Sequence, residues 1–189
     1  CPHAVIRMKT YEQDSLEEAP DAFKSVRLKG RGIDPDQRYT LQVAVDNCTG
    51  CGLCVAACPV DSHPDKPGMK AINMALKDPI VDEERESWDF FKTLPQRERG
   101  DLTGMRMRET QLMEPLFEFS GACAGCGETP YLKLLTQLHG DQLFVANATG
   151  CSSIFGGNQP TTPWSKNAAG RGPAWSNSLF EDDAEFGYG

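Results

Sequence analysis

The chain has 189 residues, 39% apolar and 8% aromatic, and carries a net charge of −8 from 19 Lys and Arg against 27 Asp and Glu. This acidic balance excludes nucleic acid and anionic membranes as main partners, because phosphate recognition needs clustered cations. No run approaches the roughly 20 apolar residues that span a bilayer, and no charged-then-apolar leader marks the chain for secretion, so a cytoplasmic location is expected. The chain opens on Cys1 and closes on Gly187-Tyr188-Gly189, and a piece of a longer polypeptide is expected.

In chain order, residues 1–38 are mixed and charged, with Glu17-Glu18 and the turn-like Asp34-Pro35-Asp36, and excursions with little regular structure are expected there. Arg38 to Asp46 alternates Tyr39, Leu41, Val43 and Val45 on one face, which reads as a strand entering a cysteine loop. Residues 61–68 hold Pro64, Pro67 and Gly68 and read as loop; Lys70 to Leu76 is a second strand candidate. Asp82 to Leu94 starts acidic, carries Trp88, Phe90 and Phe91, and reads as an amphipathic helix stopped by Pro95. Gln96 to Thr110 reads as a solvated linker in which Arg97, Arg99, Arg106 and Arg108 are interspersed with acids.

Eight cysteines are present: Cys1, Cys48, Cys51, Cys54, Cys58, Cys123, Cys126 and Cys151. In a long chain without a secretory leader, metal ligation is a better reading than disulfides. For the same reason the sequons at Asn47 and Asn147 read as chance. Cys48 to Pro59 follows C-x2-C-x2-C-x3-C-P, the run of bacterial-type [4Fe–4S] ferredoxins. Three thiolates two residues apart can wrap one cubane from a tight loop, and Gly50 and Gly52 free the backbone to turn around it. Zinc fits less well, since structural zinc sites favour two separated C-x2-C pairs. In two-cluster ferredoxins the fourth cysteine of such a run serves the other cluster. Cys48, Cys51 and Cys54 therefore need a donor from elsewhere, for which Cys1-Pro2 is the candidate, while Cys58 serves a different cubane.

Beyond the linker, Leu116 to Phe119 reads as a short strand before the Gly-Cys loop 121–127. Glu128-Thr129-Pro130 opens a helix with proline in its first turn, with Leu132, Leu135 and Leu138 as its buried stripe and Leu134 alongside, ending at His139-Gly140. Asp141 to Thr149 is the next strand, entering a Gly150-Cys151-Ser152-Ser153 turn. This order is the opening of a parallel α/β sheet, with cysteines in the loops where such sheets bind cofactors. Cys123-x2-Cys126, with Cys151 following 25 residues later, leaves a cubane one ligand short; a thioredoxin-like redox pair is the rival reading of the C-x-x-C. Residues 156–175 read as a long ordered loop anchored by Trp164 and Trp175, and 174–186 as a helix with the acidic run Glu181-Asp182-Asp183.

Phe119 to Tyr131 (FSGACAGCGETPY), Asn147 to Ser153 (NATGCSS), Gly157 to Trp164 and Gly170 to Trp175 (GRGPAW) resemble the thiamine-diphosphate-binding domain of pyruvate:ferredoxin (flavodoxin) oxidoreductase. A two-cluster ferredoxin domain precedes that domain in the same family. The resemblance implies an α+β ferredoxin-like module over residues 1–95, a linker over 96–112 and the beginning of an α/β thiamine-diphosphate-binding domain over 113–189. It implies three [4Fe–4S] clusters: one on Cys48, Cys51, Cys54 and Cys1, one held in part by Cys58, and a proximal one on Cys123, Cys126 and Cys151. Glu128 and Cys151 would lie against thiamine diphosphate, with the Mg2+ and diphosphate motif outside this chain. From the residues alone, Glu128 is equally a helix-start carboxylate favoured by the dipole.

The implied activity is oxidative decarboxylation of pyruvate to acetyl-coenzyme A and carbon dioxide, with electrons relayed to ferredoxin or flavodoxin by a full-length homodimer. This segment alone is expected to be inactive. The competing classes are a non-catalytic multi-cluster electron carrier and a zinc-stabilised structural module.

Overall fold

The computed structural model describes residues 1–29, 34–62, 65–101, 106–147, 150–158 and 160–175. The helix expected over 174–186, with its acidic run, lies outside the described residues beyond 175, as do Pro64, Gly104 and Thr149. Among the described residues no helix is long and apolar enough to cross a membrane.

The first sheet holds β1 (Ile6–Glu12), β2 (Val26–Arg27) and β3 (Gln37–Val43), in the antiparallel order β1-β3-β2. β1 and β3 pair from Ile6 opposite Val43 to Glu12 opposite Gln37. β1 corrects the expectation of little regular structure in 1–38. Arg7 and Lys9 alternate with Ile6 and Met8, and charges at every second position read as solvated. The fold turns them inward instead. Lys9 is 2% exposed. Its ammonium donates to the Phe91 carbonyl at 3.0 Å and to that of Leu94, and it lies 4.8 Å from the Phe91 ring centroid. The end of a helix thus supplies the acceptors that let the charge be buried.

β3 is the strand expected at 38–46, continued by a 3-10 turn at Val45–Asn47. Its buried residues are the polar Thr40 and Gln42, which both donate to the Lys24 carbonyl, at 2.6 and 3.3 Å. The alternating Tyr39, Leu41 and Val43 do share a face, and that face lines a cavity with the cysteines.

α1 (Leu53–Ala56) is a single turn inside the cysteine run, and α2 (Val81–Thr93) is the helix expected before Pro95. Asp82, Glu83 and Glu84 occupy the first turn of α2 and Lys92 its last, each complementing the helix dipole. Phe90 meets Phe23 edge-on at 4.7 Å, and Trp88 stacks on Phe91 at 5.0 Å. The strand expected at 70–76 does not form. Asn73 closes a turn there, accepting from the Lys70 amide at 3.0 Å and donating to the Lys70 carbonyl at 2.7 Å, which competes with a ladder.

The expected linker carries a 3-10 turn (Arg99–Asp101) and α3 (Met107–Thr110). Arg99 pairs with Asp141, and Arg97 forms a bridge with Met113. The strand expected at 116–119 shrinks to one antiparallel bridge between Phe117 and Trp164. There the Glu118 amide donates to Pro163 at 2.9 Å and the Ser165 amide to Leu116 at 3.1 Å. Trp164 is an anchor as expected, 4.8 Å from Phe117.

α4 (Thr129–His139) starts and ends where expected, but its leucine stripe is a correction. The buried side chains are Thr129, Lys133, Thr136 and Gln137, while Leu132, Leu134 and Leu138 are half-buried and Leu135 is exposed. The backbone of 111–116 decides this facing. Gln137 donates to the Met113 carbonyl at 2.8 Å, and the Leu116 amide donates to the Thr136 hydroxyl at 3.1 Å. Of the strand expected over 141–149, the described residues form β4 (Phe144–Val145), which pairs in parallel with β5 (Ala174–Trp175). The turn expected at 150–153 opens α5 (Cys151–Gly156), with the Ser153 hydroxyl accepting from the Gly150 amide and donating to its carbonyl, both at 2.9 Å.

The start of the chain joins the two regions. The Phe119 amide donates to the His3 carbonyl at 3.0 Å, and His3 Nδ1 donates to the Ser120 carbonyl at 3.2 Å. Arg7 pairs with Glu118 and lies over the Trp88 and Phe119 rings, 6.0 and 5.6 Å from their centroids. Ala4 and Phe119 both take the left-handed conformation, at φ 56° and 53°, a strain of about 1–2 kcal/mol each. The hydrogen bonds of this seam hold them there.

Candidate iron–sulfur site

The cysteine run turns on two glycines. Gly50 and Gly52 have φ of 66° and 73°, a region that side-chain-bearing residues avoid. The Gly52 carbonyl then accepts from Val55 and Ala56, at 3.1 and 3.0 Å, which starts α1 and carries Cys54. A third left-handed glycine, Gly125 at φ 77°, precedes Cys126 in the second loop. The two loops touch: a Cβ at Gly125 would sit 3.4 Å from the Leu53 side chain, next to Cys54.

All eight cysteines are unpaired thiols. Cys1, Cys48, Cys51, Cys54 and Cys58 line one cavity of about 890 Å³, walled on one side by the apolar face of β3. The fold therefore brings Cys1 to the run 47 residues further on, where the missing donor was expected. Among the described residues no three His, Cys, Asp or Glu side chains group closely enough to hold a single metal ion.

Backbone groups tune the sulfurs. The Val60 amide, then those of Ile72 and Ala71 with Lys70 nearby, hold the Cys58 thiol below its ordinary value. The Thr129 amide does the same for Cys126, with help from the Glu128 amide and the Thr129 hydroxyl. Donors aimed at sulfur are what a cluster's thiolates need. These second contacts were not read from the sequence. The signal for Lys70 was its position beyond the cysteine run, and its ammonium donates to the Val55 carbonyl at 2.9 Å.

In the second region Cys123 and Cys151 are exposed and Cys126 is half-buried. Cys126 folds back on Cys123 through an amide-to-carbonyl bond of 3.0 Å, which closes the C-x2-C loop. Cys151 begins α5, where Asn147 donates to the Ser152 hydroxyl at 2.7 Å. The Glu128 carboxylate is exposed at the cap of α4. Lys133 is buried against Gln111, at 2.8 Å, and burial lowers its pKa to about 8.

A left-handed glycine loop, a thiol-lined cavity and an antiparallel sheet make the first region a ferredoxin-like iron–sulfur domain, and residues 1–62 match the family described as a 4Fe-4S dicluster domain. The similarity also runs over the whole chain. It is 61% identical to the pyruvate-flavodoxin oxidoreductase of Nostoc sp. and 50% identical to that of Rhodospirillum rubrum, in each case over all 189 residues and 16% of the relative's length. To the pyruvate:ferredoxin oxidoreductase of Moorella thermoacetica it is 43% identical, over 15% of that relative's length. The resemblance carried by the cysteine motifs thus extends from Cys1 to Gly189, and the chain corresponds to about a sixth of these relatives.

Proposed function

We propose that this chain is the electron-relay segment of a pyruvate:ferredoxin or flavodoxin oxidoreductase. The observation that carries this reading is the shared cavity of Cys1, Cys48, Cys51, Cys54 and Cys58, joined through Leu53 to the loop of Cys123 and Cys126. In the proposed arrangement Cys1, Cys48, Cys51 and Cys54 hold one [4Fe–4S] cluster and Cys58 helps hold a second. Cys123, Cys126 and Cys151 hold a third. Glu128 and Cys151 face thiamine diphosphate, whose Mg2+ ligands lie outside this segment. The division into 1–95, 96–112 and an α/β thiamine-diphosphate domain beginning at 113 belongs to the same reading.

When bound, thiamine diphosphate supplies the carbanion chemistry for releasing carbon dioxide from a 2-oxo acid, and the clusters supply one-electron transfer. The balance is pyruvate plus coenzyme A giving acetyl-coenzyme A, carbon dioxide, two electrons and a proton. This segment's residues do not handle the proton. They hold the sulfurs, point amides at them and keep the second cysteine loop in contact with the first. The two electrons leave singly, toward ferredoxin or flavodoxin, in a cytoplasmic homodimer.

The test is the full-length protein, reconstituted without oxygen. Three cubanes require about 12 iron and about 12 labile sulfide per chain, and pyruvate with coenzyme A should reduce the clusters and then flavodoxin. Full cluster content without pyruvate-dependent reduction would leave a multi-cluster electron carrier. Zinc without sulfide would leave a structural module.

A further inference from the structure

Cys1 is exposed, yet residues 2–5 are buried, His3 to 2% exposure. Cys1, Pro2, His3 and Val5 all line the cavity of the cysteine run. The first region gives the start of this stretch little hydrogen bonding. The Ala4 amide returns to the Cys1 carbonyl at 3.4 Å, a long bond within the turn itself. The sheet takes hold only from Ala4 on, where Arg7 donates to the Ala4 carbonyl and the Ala44 amide donates to the Val5 carbonyl at 2.8 Å.

The other hydrogen bonds of residues 1–3, among the described residues, cross to the second region. The Phe119 amide donates to the His3 carbonyl at 3.0 Å, and His3 Nδ1 donates to the Ser120 carbonyl at 3.2 Å, 117 residues away in the chain. A carbonyl only accepts, so Nδ1 carries the hydrogen. Nε2 is buried without a hydrogen-bond partner among the described residues, so the bond to Ser120 is the one polar anchor of the ring. Arg7 grips the same strip through Glu118. The bonds behind a ligand set its orientation, and behind Cys1 those bonds come from 119 and 120.

We propose that His3 is a positioning residue that holds Cys1 in place as the fourth thiolate of the cluster on Cys48, Cys51 and Cys54, by anchoring it to Phe119 and Ser120. This rests on the reading above that Cys1 is a ligand of that cluster. The ferredoxin-like region then does not complete its ligand set alone, because its last thiolate is set from across the seam. His3 acts through Cys1, and its hydrogen stays on Nδ1 throughout. Without the anchor, the iron bound by Cys1 is the one that loosens. Its departure turns [4Fe–4S]2+ into [3Fe–4S]0 and Fe2+, with no electron gained or lost.

The experiment uses the full-length holoenzyme, kept without oxygen, as wild type, Cys1→Ala, His3→Leu, His3→Asn and His3→Gln. EDTA is titrated in, the iron leaving the protein is counted, and the [3Fe–4S] product is followed by parallel-mode electron paramagnetic resonance. Cys1→Ala identifies the iron in question. In His3→Leu the EDTA concentration that removes half of that iron should fall about 10- to 100-fold, while the other clusters titrate as in wild type. The double variant of Cys1→Ala with His3→Leu should match Cys1→Ala, because two changes that act on one ligand do not add. Wild-type titration in His3→Leu, earlier release from every cluster alike, or further iron loss in the double variant would overturn the assignment.

His3→Asn places an amide N–H where Nδ1 stood and should titrate as wild type. His3→Gln, whose N–H falls at the place of Nε2, should behave as His3→Leu. Should His3→Leu not fold, these two still decide. His3→Asn close to wild type with His3→Gln impaired supports the anchor; equal titration of the two, or loss of the clusters in His3→Asn, overturns it. Cys1→Ala that keeps all its iron at wild-type EDTA concentrations would instead defeat the ligand reading beneath this one, a result read without any change at His3.

Discussion

The two cysteine regions solve the problem of a core in opposite ways. In residues 1–62 the apolar face of β3 looks into a cavity ringed by five thiols, and the opposite face buries Lys9, Thr40 and Gln42 under α2 and residues 23–25. In the second region α4 also turns a polar face inward, with Leu135 exposed and Leu132, Leu134 and Leu138 half-buried. Phe144 is 87% exposed and Ile154 is 68% exposed, apolar surface that a larger sheet would bury. The first region is organised around what its sulfurs hold. The second is organised by hydrogen bonds to the seam at 111–120. Which side of an element is the inside is set by its neighbours, whatever its own composition.

This contrast predicts unequal dependence on iron. Chelating iron from the full-length protein should bring hydrogen exchange in 37–62 close to that of an unfolded chain, since the cluster stands in for that region's core. α4 should keep its protection through Thr136 and Gln137. Equal loss in both regions would show that they are one cooperative unit.

Cys151→Ala in the full-length enzyme addresses the second region alone. It should abolish pyruvate-dependent reduction of flavodoxin while leaving the spectrum of the ferredoxin-type clusters intact. Unchanged acceptor reduction would remove Cys151 from the relay.

Gly172→Ala separates packing from redox chemistry. A Cβ there would stand 2.2 Å from the Ser165 carbonyl oxygen, so the backbone of that loop must move. A loss of about 1–3 kcal/mol in stability is expected, read by urea denaturation, with local exchange rising at 163–175 and none at 37–62.

Lys9→Met tests the buried charge between the regions. It removes the ammonium from the Leu94 carbonyl and leaves the Phe91 carbonyl with only the Leu94 amide at 3.3 Å, at a cost of about 1–3 kcal/mol. Burial lowers the Lys9 pKa from 10.5 to about 8. The folded state then binds fewer protons than the unfolded one between those values, so Lys9 makes stability rise with pH across about 8 to 10.5. Below about 8 the cost of burying the charge is complete. The slope contributed by this lysine should vanish in the variant, and an identical pH profile would show that its ammonium is not buried in solution.

The cysteine run, its glycines and the helices at 81–93 and 129–139 were legible in the amino-acid order. Each is governed by residues a few positions apart: thiol spacing, left-handed turns, dipole-matched ends and Pro130 in a first turn. The place of Cys1 in the lining of that cavity was expected only from a C-P dipeptide, which carries no information about position in space. β1 was illegible because Arg7 and Lys9 look solvated until α2 and Glu118 provide their partners. The facing of α4 was misread for the same reason. Its leucines make the better stripe by composition, yet backbone groups of Met113 and Leu116, 24 and 20 residues away, claim the opposite side. Local chemistry selects elements and ligands within a few residues. Which face is buried depends on desolvation and hydrogen bonding by groups far along the chain.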